Sequence, residues 1–401
     1  MTGKRPLRVC LISPGELPVP ATKGGAIETL IMSLVKCNET EHRMKLTVAS
    51  VTDDEAENLA ARYPGTEFRY FKRSAQIVEL VYHYWQAIWK RLFPSSHIMS
   101  SLFYHKVLES IRGEKYDAVV FEGGESYGFK AYDKVFHGRL WYHVHANPTD
   151  FTNSAFFGNV MVLSGFVLNN WRKLCSDKQQ NLFVLHNGVD ISSFEQSAQV
   201  SSTKAKQAFG YSPDDVVVMY CGRISQEKGV RELVQSVLLI TDPHIKLMVI
   251  GKPDSFDYSQ RYWAQLKGMA EPAKSRITFA GYVPNNQLGR YYAAADIQVV
   301  PSQWEEGAGN VCIEGMAAAK PIIASNCGGI PEYVDEECAI LINRGEDYVS
   351  NLADAIEQLA HDSSRRYSMG EHGRKRARLF SEKQYYHQYV DLMEKVVHNG
   401  V

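Results

Sequence analysis

The chain has no Cys-x-x-Cys pair, and its seven cysteines (Cys10, Cys37, Cys175, Cys221, Cys312, Cys327 and Cys338) are odd in number and widely spaced. That excludes a zinc or disulfide framework and reads as the reduced, buried thiols of a cytosolic protein. No apolar run reaches the length of a membrane span, so any membrane contact is expected to be peripheral. The run inside the basic opening MTGKRPLRVCLIS is too short for a signal peptide. Charge of one sign is missing too: 44 Lys and Arg face 45 Asp and Glu, which excludes a dedicated nucleic-acid binder. No Gly-x-Gly-x-x-Gly or Walker loop follows the first apolar run, which argues against a nicotinamide dehydrogenase. The chain contains no Asp-x-Asp, the acid pair that commonly holds Mg²⁺ or Mn²⁺ against a diphosphate, so a metal-free site is expected. There is no internal repeat and no low-complexity tract.

What is present is an alternation of short apolar runs, glycine-rich turns and helical stretches. Strands are expected at Leu7–Ser13, Leu46–Val51, Glu67–Phe71, Tyr116–Glu122, Leu140–His145, Val160–Ser164 and Leu182–Leu185. A second series runs Val216–Tyr220, Lys246–Gly251, Ile277–Ala280, Ile297–Val300 and Ile322–Ala324. Runs this apolar, alternating with helices, predict an α/β architecture with mostly parallel sheets. The 401 residues suggest two domains, with a boundary near 190 at the turn His186-Asn187-Gly188-Val189-Asp190.

The richest stretch is Asp296 to Pro331, DIQVVPSQWEEGAGNVCIEGMAAAKPIIASNCGGIP. Two buried strands flank a polar turn and a helix expected over Asn310–Ala319, with Asn310 as its cap and Pro321 beyond its end. Glu306 lies in the turn and Glu314 eight residues on, one turn into the helix. Gly307, Ala308 and Gly309 between them are small enough for a ligand to reach the backbone. Free N–H groups at the helix start suit an anion. A phosphate there leaves Glu314 near an attached ribose, and Glu306 near a second, sugar-like group. The spacing alone fits equally well a surface turn with two solvated acids.

A second phosphate-like turn is Gly222-Arg223-Ile224-Ser225-Gln226-Glu227-Lys228-Gly229, followed by a helix from Val230. Glycines, two cations and a helix start converge as they do on an anion. Gly24 and Gly25 precede a helix after the first strand, where a plain tight turn is the simpler reading. His143 and His145 end a strand, where parallel sheets present ligand-facing groups, although a lone strand-end histidine is more often structural. Ser74–Ile111 is long and aromatic. Tyr82, Tyr84, Trp85, Trp89 and Phe93, near Lys90 and Arg91, read first as a helix packed in the N-terminal core. The alternative is a surface that meets a membrane or a lipid-linked substrate.

Taken together, SPGELPVPATKGGAIE, His145, HNGVD, GRISQEKG and PSQWEEGAGNVCIEGMAAAKPIIASNCGGIPE resemble the retaining family 4 glycosyltransferases of the GT-B fold. The resemblance covers nearly the whole chain, and the opening loop and SQW look like the branch acting in cell-surface polysaccharide, capsule or spore-coat glycan synthesis. It implies two Rossmann-like doubly wound domains facing a central cleft. Residues 1–190 would bind the acceptor and 191–380 the nucleotide-sugar donor, with a C-terminal helix, 381–401, packing back on the first domain. The implied activity moves a hexosyl or N-acetylhexosaminyl group from a nucleotide-diphosphate sugar, a UDP-sugar, to a glycan or lipid-linked acceptor. The resemblance implies that no cofactor, metal or nucleic acid takes part. The implied location is the cytoplasm, with peripheral contact at the inner face of the membrane. Arg223 and Lys228 would hold the diphosphate, Glu314 the ribose, and Glu306 the transferred sugar with backbone N–H groups around Ala308, Gly309, Asn310 and Val311. Gly25 would lie near acceptor and phosphate, and His145 near the donor sugar's primary hydroxyl. Ala308 departs from a Phe common in relatives, and Ala319-Lys320 from a pattern with Gly. Rival readings are a GT-B sugar-nucleotide epimerase, a glycogen-type phosphorylase and a non-catalytic sugar-nucleotide-binding coat protein.

Overall fold

The computed structural model describes residues 5–74, 76–92, 101–124, 129–148, 157–175 and 179–399. The chain divides into two compact units, residues 1–188 with 382–401, and residues 189–381. The division falls inside the His186–Asp190 turn.

The first unit is built on β1 (Leu7–Ile12), β2 (Met44–Val51), β3 (Thr66–Phe71), β4 (Ala118–Glu122), β5 (Leu140–Val144), β6 (Asn159–Val162) and β7 (Asn181–Val184). Their order is β3-β2-β1-β4-β5-β6-β7, and every pairing is parallel. The apolar runs of β1, β2, β4, β5 and β6 are buried, as a sheet covered on both faces requires, and the edge strands β3 and β7 are partly exposed. After β3 the chain returns to lay β4 beside β1, so the sheet has a topological switch point between those two strands. The helix Ala26–Glu41 packs on one face. The C-terminal helix Glu382–Asn399 lies against it: Tyr386 donates to Asn38 at 2.8 Å and Ser33 to Glu382 at 2.6 Å.

The second unit contains β8 (Val216–Cys221), β9 (Ile245–Ile250), β10 (Ile277–Gly281), β11 (Ile297–Val300), β12 (Ile322–Ser325) and β13 (Ala339–Ile342). The order is β10-β9-β8-β11-β12-β13, again parallel throughout. Here the switch point falls between β8 and β11. In such sheets ligands bind beyond the carboxyl ends of the strands at the switch point. The loops that follow β8 and β11 are the two phosphate-like turns, and strand pairing makes them neighbours.

Several local expectations change. The long 74–111 stretch holds two helices, Gln76–Leu92 and Leu102–Ile111, and Phe93 lies outside the described residues. The first of these is not packed in the core: Ile77, Val81, Tyr84 and Ile88 are exposed, because its apolar stripe faces outward. His145 lies one residue past β5. The helix after β11 is Asn310–Ala317, and Gly309, not Asn310, is its cap. β13, which follows the acidic cluster Asp335-Glu336-Glu337, goes unread in the sequence.

Candidate active site

The loop after β8 runs from Gly222 through a 3₁₀ turn at Gln226–Lys228 to Gly229, which caps the helix Val230–Leu239. Tyr220, buried at the end of β8, donates its hydroxyl to the Arg223 carbonyl at 2.6 Å and fixes the turn. The loop after β11 is fastened directly to it. Gln303 N–H donates to the Glu227 carbonyl at 2.7 Å. Gly229 sits at φ 68°, and a Cβ there would meet the Pro301 carbonyl oxygen at 1.8 Å. Only glycine permits both that backbone angle and that approach.

The contact carries the chemistry. Lys228 Nζ lies 2.6 Å from Glu306 Oε1, and Ser302 donates its hydroxyl to the same oxygen at 2.6 Å. The Lys228–Glu306 pair is partly buried, 27% and 17% exposed at the side chains, so water screens it less than a surface pair. From the other side, the turn after β12 grips the Glu306 backbone. Gly329 N–H donates to the Glu306 carbonyl at 2.7 Å. Gly328, at φ 54°, has no room for a Cβ, which would fall 2.1 Å from that same oxygen. Glu305 accepts from Gly328 N–H at 2.6 Å and pairs with Arg344. Three loops therefore converge on Glu306.

Arg223 is half exposed and turns to Asp254, 3.4 Å away. Glu314, in the second turn of the Asn310–Ala317 helix, is partly buried and accepts from the Tyr292 hydroxyl at 3.1 Å. Burial pushes its carboxyl up to about 7, against the opposing pull of Tyr292. A carboxyl poised near neutrality gains from hydroxyl donors that favour its charged form.

In the first unit, β4 and β5 bring Glu122, His143 and His145 together. Glu122 Oε2 faces His143 Nδ1 at 2.8 Å and His145 Nε2 at 2.9 Å, and Tyr389 donates to Oε1 at 3.0 Å. All are almost fully buried. Burial opposes ionisation of Glu122, but His143 and the two imidazole hydrogen bonds outweigh it and hold the carboxyl well below the usual range. Burial first, then His143, lowers His145 to about 4, so its imidazole is neutral at neutral pH. With Nε2–H given to Glu122, Nδ1 is left as an acceptor. The three ligand atoms lie within 4.8 Å of one another, a set that offers two nitrogens and one oxygen to a cation. They are already joined by hydrogen bonds, the arrangement of a closed network rather than an open ligand set. Beside β1, Glu28 folds over Gly25, where a Cβ would meet its carboxylate at 2.0 Å. The chain's own acid thus covers this helix start.

Residues 201–376 match the family Glycosyl transferases group 1. The chain carries a group 1 glycosyltransferase domain. Spore coat protein SA of Bacillus subtilis (strain 168) is 24% identical over 92% of this chain and 94% of its own length. In fold, the chain is similar to Anabaena HepE, solved in complex with UDP, at a TM-score of 0.72 and 17% identity over 97% of this chain and 100% of that one. Sucrose-phosphate synthase from Thermosynechococcus elongatus superposes at 0.74, with 18% identity over 98% and 100% of the two chains. The architecture of the chain is GT-B, with two parallel-sheet α/β units.

Of the residues singled out in the sequence, Lys228 and Glu306 are in direct contact. Ala308, Gly309, Asn310 and Val311 lead into the helix that carries Glu314. Arg223 shares the Lys228 loop but points to Asp254, and Gly25 and His145 belong to the first unit. Sequence reasoning missed Ser302, Tyr292 and Glu122, the partners of Glu306, Glu314 and His145. Tyr292 lies on the helix Leu288–Ala294, and nothing in the sequence spacing aims it at Glu314. Glu122 ends a strand just before a double glycine, the one cue that marked it.

Proposed function

We propose that this protein is a retaining, metal-independent glycosyltransferase that moves a hexosyl or N-acetylhexosaminyl group from a UDP-sugar to a glycan or lipid-linked acceptor in surface polysaccharide synthesis. The observation that carries the reading is the Lys228–Glu306 contact at the β8/β11 switch point, where two glycine-lined loops and a helix start meet. A diphosphate competes with Glu306 for Lys228. Once Lys228 turns to the phosphate, Glu306 is released to accept hydroxyls of the transferred sugar. Arg223, half exposed on the same loop, supplies a second cation. As the sugar–phosphate bond breaks, negative charge grows on the leaving diphosphate, and preorganised cations and N–H groups stabilise that charge. Glu314 takes the ribose hydroxyls. Retention follows from same-face substitution, in which the leaving phosphate helps deprotonate the acceptor. The UDP bound to HepE, a protein of similar fold, supports uridine diphosphate as the carrier. The first unit takes the acceptor. A lipid-linked acceptor draws a cytoplasmic enzyme to the inner face of the membrane as a peripheral partner.

The test is sugar transfer from a panel of UDP-sugars with excess EDTA after metal-free purification. Transfer that persists in EDTA agrees with cations of the protein holding the diphosphate. Activity lost to EDTA and restored by Mg²⁺ or Mn²⁺ would assign that work to a metal. Conversion of the UDP-sugar to an epimeric sugar without any acceptor would make the protein an epimerase.

A further inference from the structure

We propose that the outward face of the helix Gln76–Leu92 is an in-plane docking surface for an anionic lipid bilayer. Ile77, Val81, Tyr84, Trp85, Ile88 and Leu92 are 70%, 61%, 63%, 44%, 61% and 65% exposed. At helical spacing they fall within an arc of about 100°, one continuous apolar stripe along the whole helix. Single exposed apolar residues are ordinary, but a continuous stripe of six marks an interaction surface. Elsewhere among the described residues large exposed apolar side chains occur singly or in pairs.

Charge selects the occupant. Residues 72–92 hold four bases, Lys72, Arg73, Lys90 and Arg91, against one acid, Glu79. Lys72, Arg73 and Arg91 are exposed, at the two ends of the stripe. A second copy docked on this face in either direction would set basic ends against basic ends, at a cost in like-charge repulsion. Anionic headgroups meet both ends favourably. Trp85 and Tyr84 on the stripe are the aromatic types that prefer the headgroup level. Among the described residues no helix is long and apolar enough to cross a membrane. This one, 17 residues and about 25 Å long, lies along the surface instead.

The experiment is co-sedimentation of the full chain, without substrate, with phosphatidylcholine vesicles and with vesicles that also contain phosphatidylglycerol. Leaving out substrate keeps the result independent of the transferase reading. The wild type sediments with the anionic vesicles and far less with the neutral ones. Val81→Asp combined with Ile88→Asp lowers partition by at least about tenfold, and Arg73→Ala by about fivefold on anionic vesicles. Thermal midpoints stay unchanged, since all three side chains are exposed. The proposal is overturned if the wild type stays in solution with both vesicles, or if the double variant partitions like wild type. A dimer that the double variant abolishes, without vesicle binding, would also overturn it and give the face to a second copy.

Discussion

Glu314 lies partly buried against Tyr292, and burial lifts its carboxyl from 4.5 to about 7. The folded state therefore keeps a proton that the unfolded chain releases. Stability from this group is fully present below pH about 4.5 and is lost as pH rises through about 7. Glu314→Gln needs no ionisation. It should be more stable than wild type at about pH 8, by on the order of 1 kcal/mol once screening is allowed for. Between about pH 5 and 8 its stability should also vary less. Denaturant titrations across that range check both points, and a wild-type slope in the variant would mean the carboxyl is already well hydrated. The same substitution should weaken UDP, because an amide accepts ribose hydroxyls less strongly than a carboxylate.

At the scale of elements, the site depends on how closely two loops approach. Gly229→Ala forces a Cβ to within 1.8 Å of the Pro301 carbonyl oxygen, at a left-handed backbone position. One loop must give way, which separates Lys228 from Glu306 and costs on the order of 2 kcal/mol or more. Gly210→Ala is the control. Its φ is 79° and its surroundings are open, so only the backbone term of about 1 kcal/mol applies. Unfolding midpoints and UDP calorimetry on both variants separate the cases, and equal losses would remove the loop contact from the account. The strand–loop–helix order around this site is readable in the sequence, because buried parallel strands are written as apolar runs and their turns as glycine. The loop contact itself is not readable. Lys228 and Glu306 are separated by 78 positions, and only the return of β11 beside β8 joins them. The outward face of Gln76–Leu92 is likewise hidden, since an apolar stripe has the same period whether it faces core or lipid.

For the molecule as a whole, the end of the chain completes the first unit. Tyr385, Tyr386, Tyr389, Val390 and Met393 of the last helix are almost fully buried there. At about 1.5–3 kcal/mol per buried side chain, their loss rivals the entire net stability of a typical domain, about 5–15 kcal/mol. A chain ending at Ser381 should therefore lose the first unit's unfolding transition, and limited proteolysis should degrade residues 1–188 before 189–381. Full protection of residues 1–188 in the truncated chain would contradict this.

In the proposed function the loops after β8 and β11 hold a diphosphate, and Lys228 is its cation. Calorimetric titration of UDP in EDTA, comparing wild type with Lys228→Ala, tests it most directly. Wild type should bind without metal, and Lys228→Ala at least about tenfold more weakly. Equal affinity in a folded Lys228→Ala variant, or no UDP binding by wild type, would contradict it.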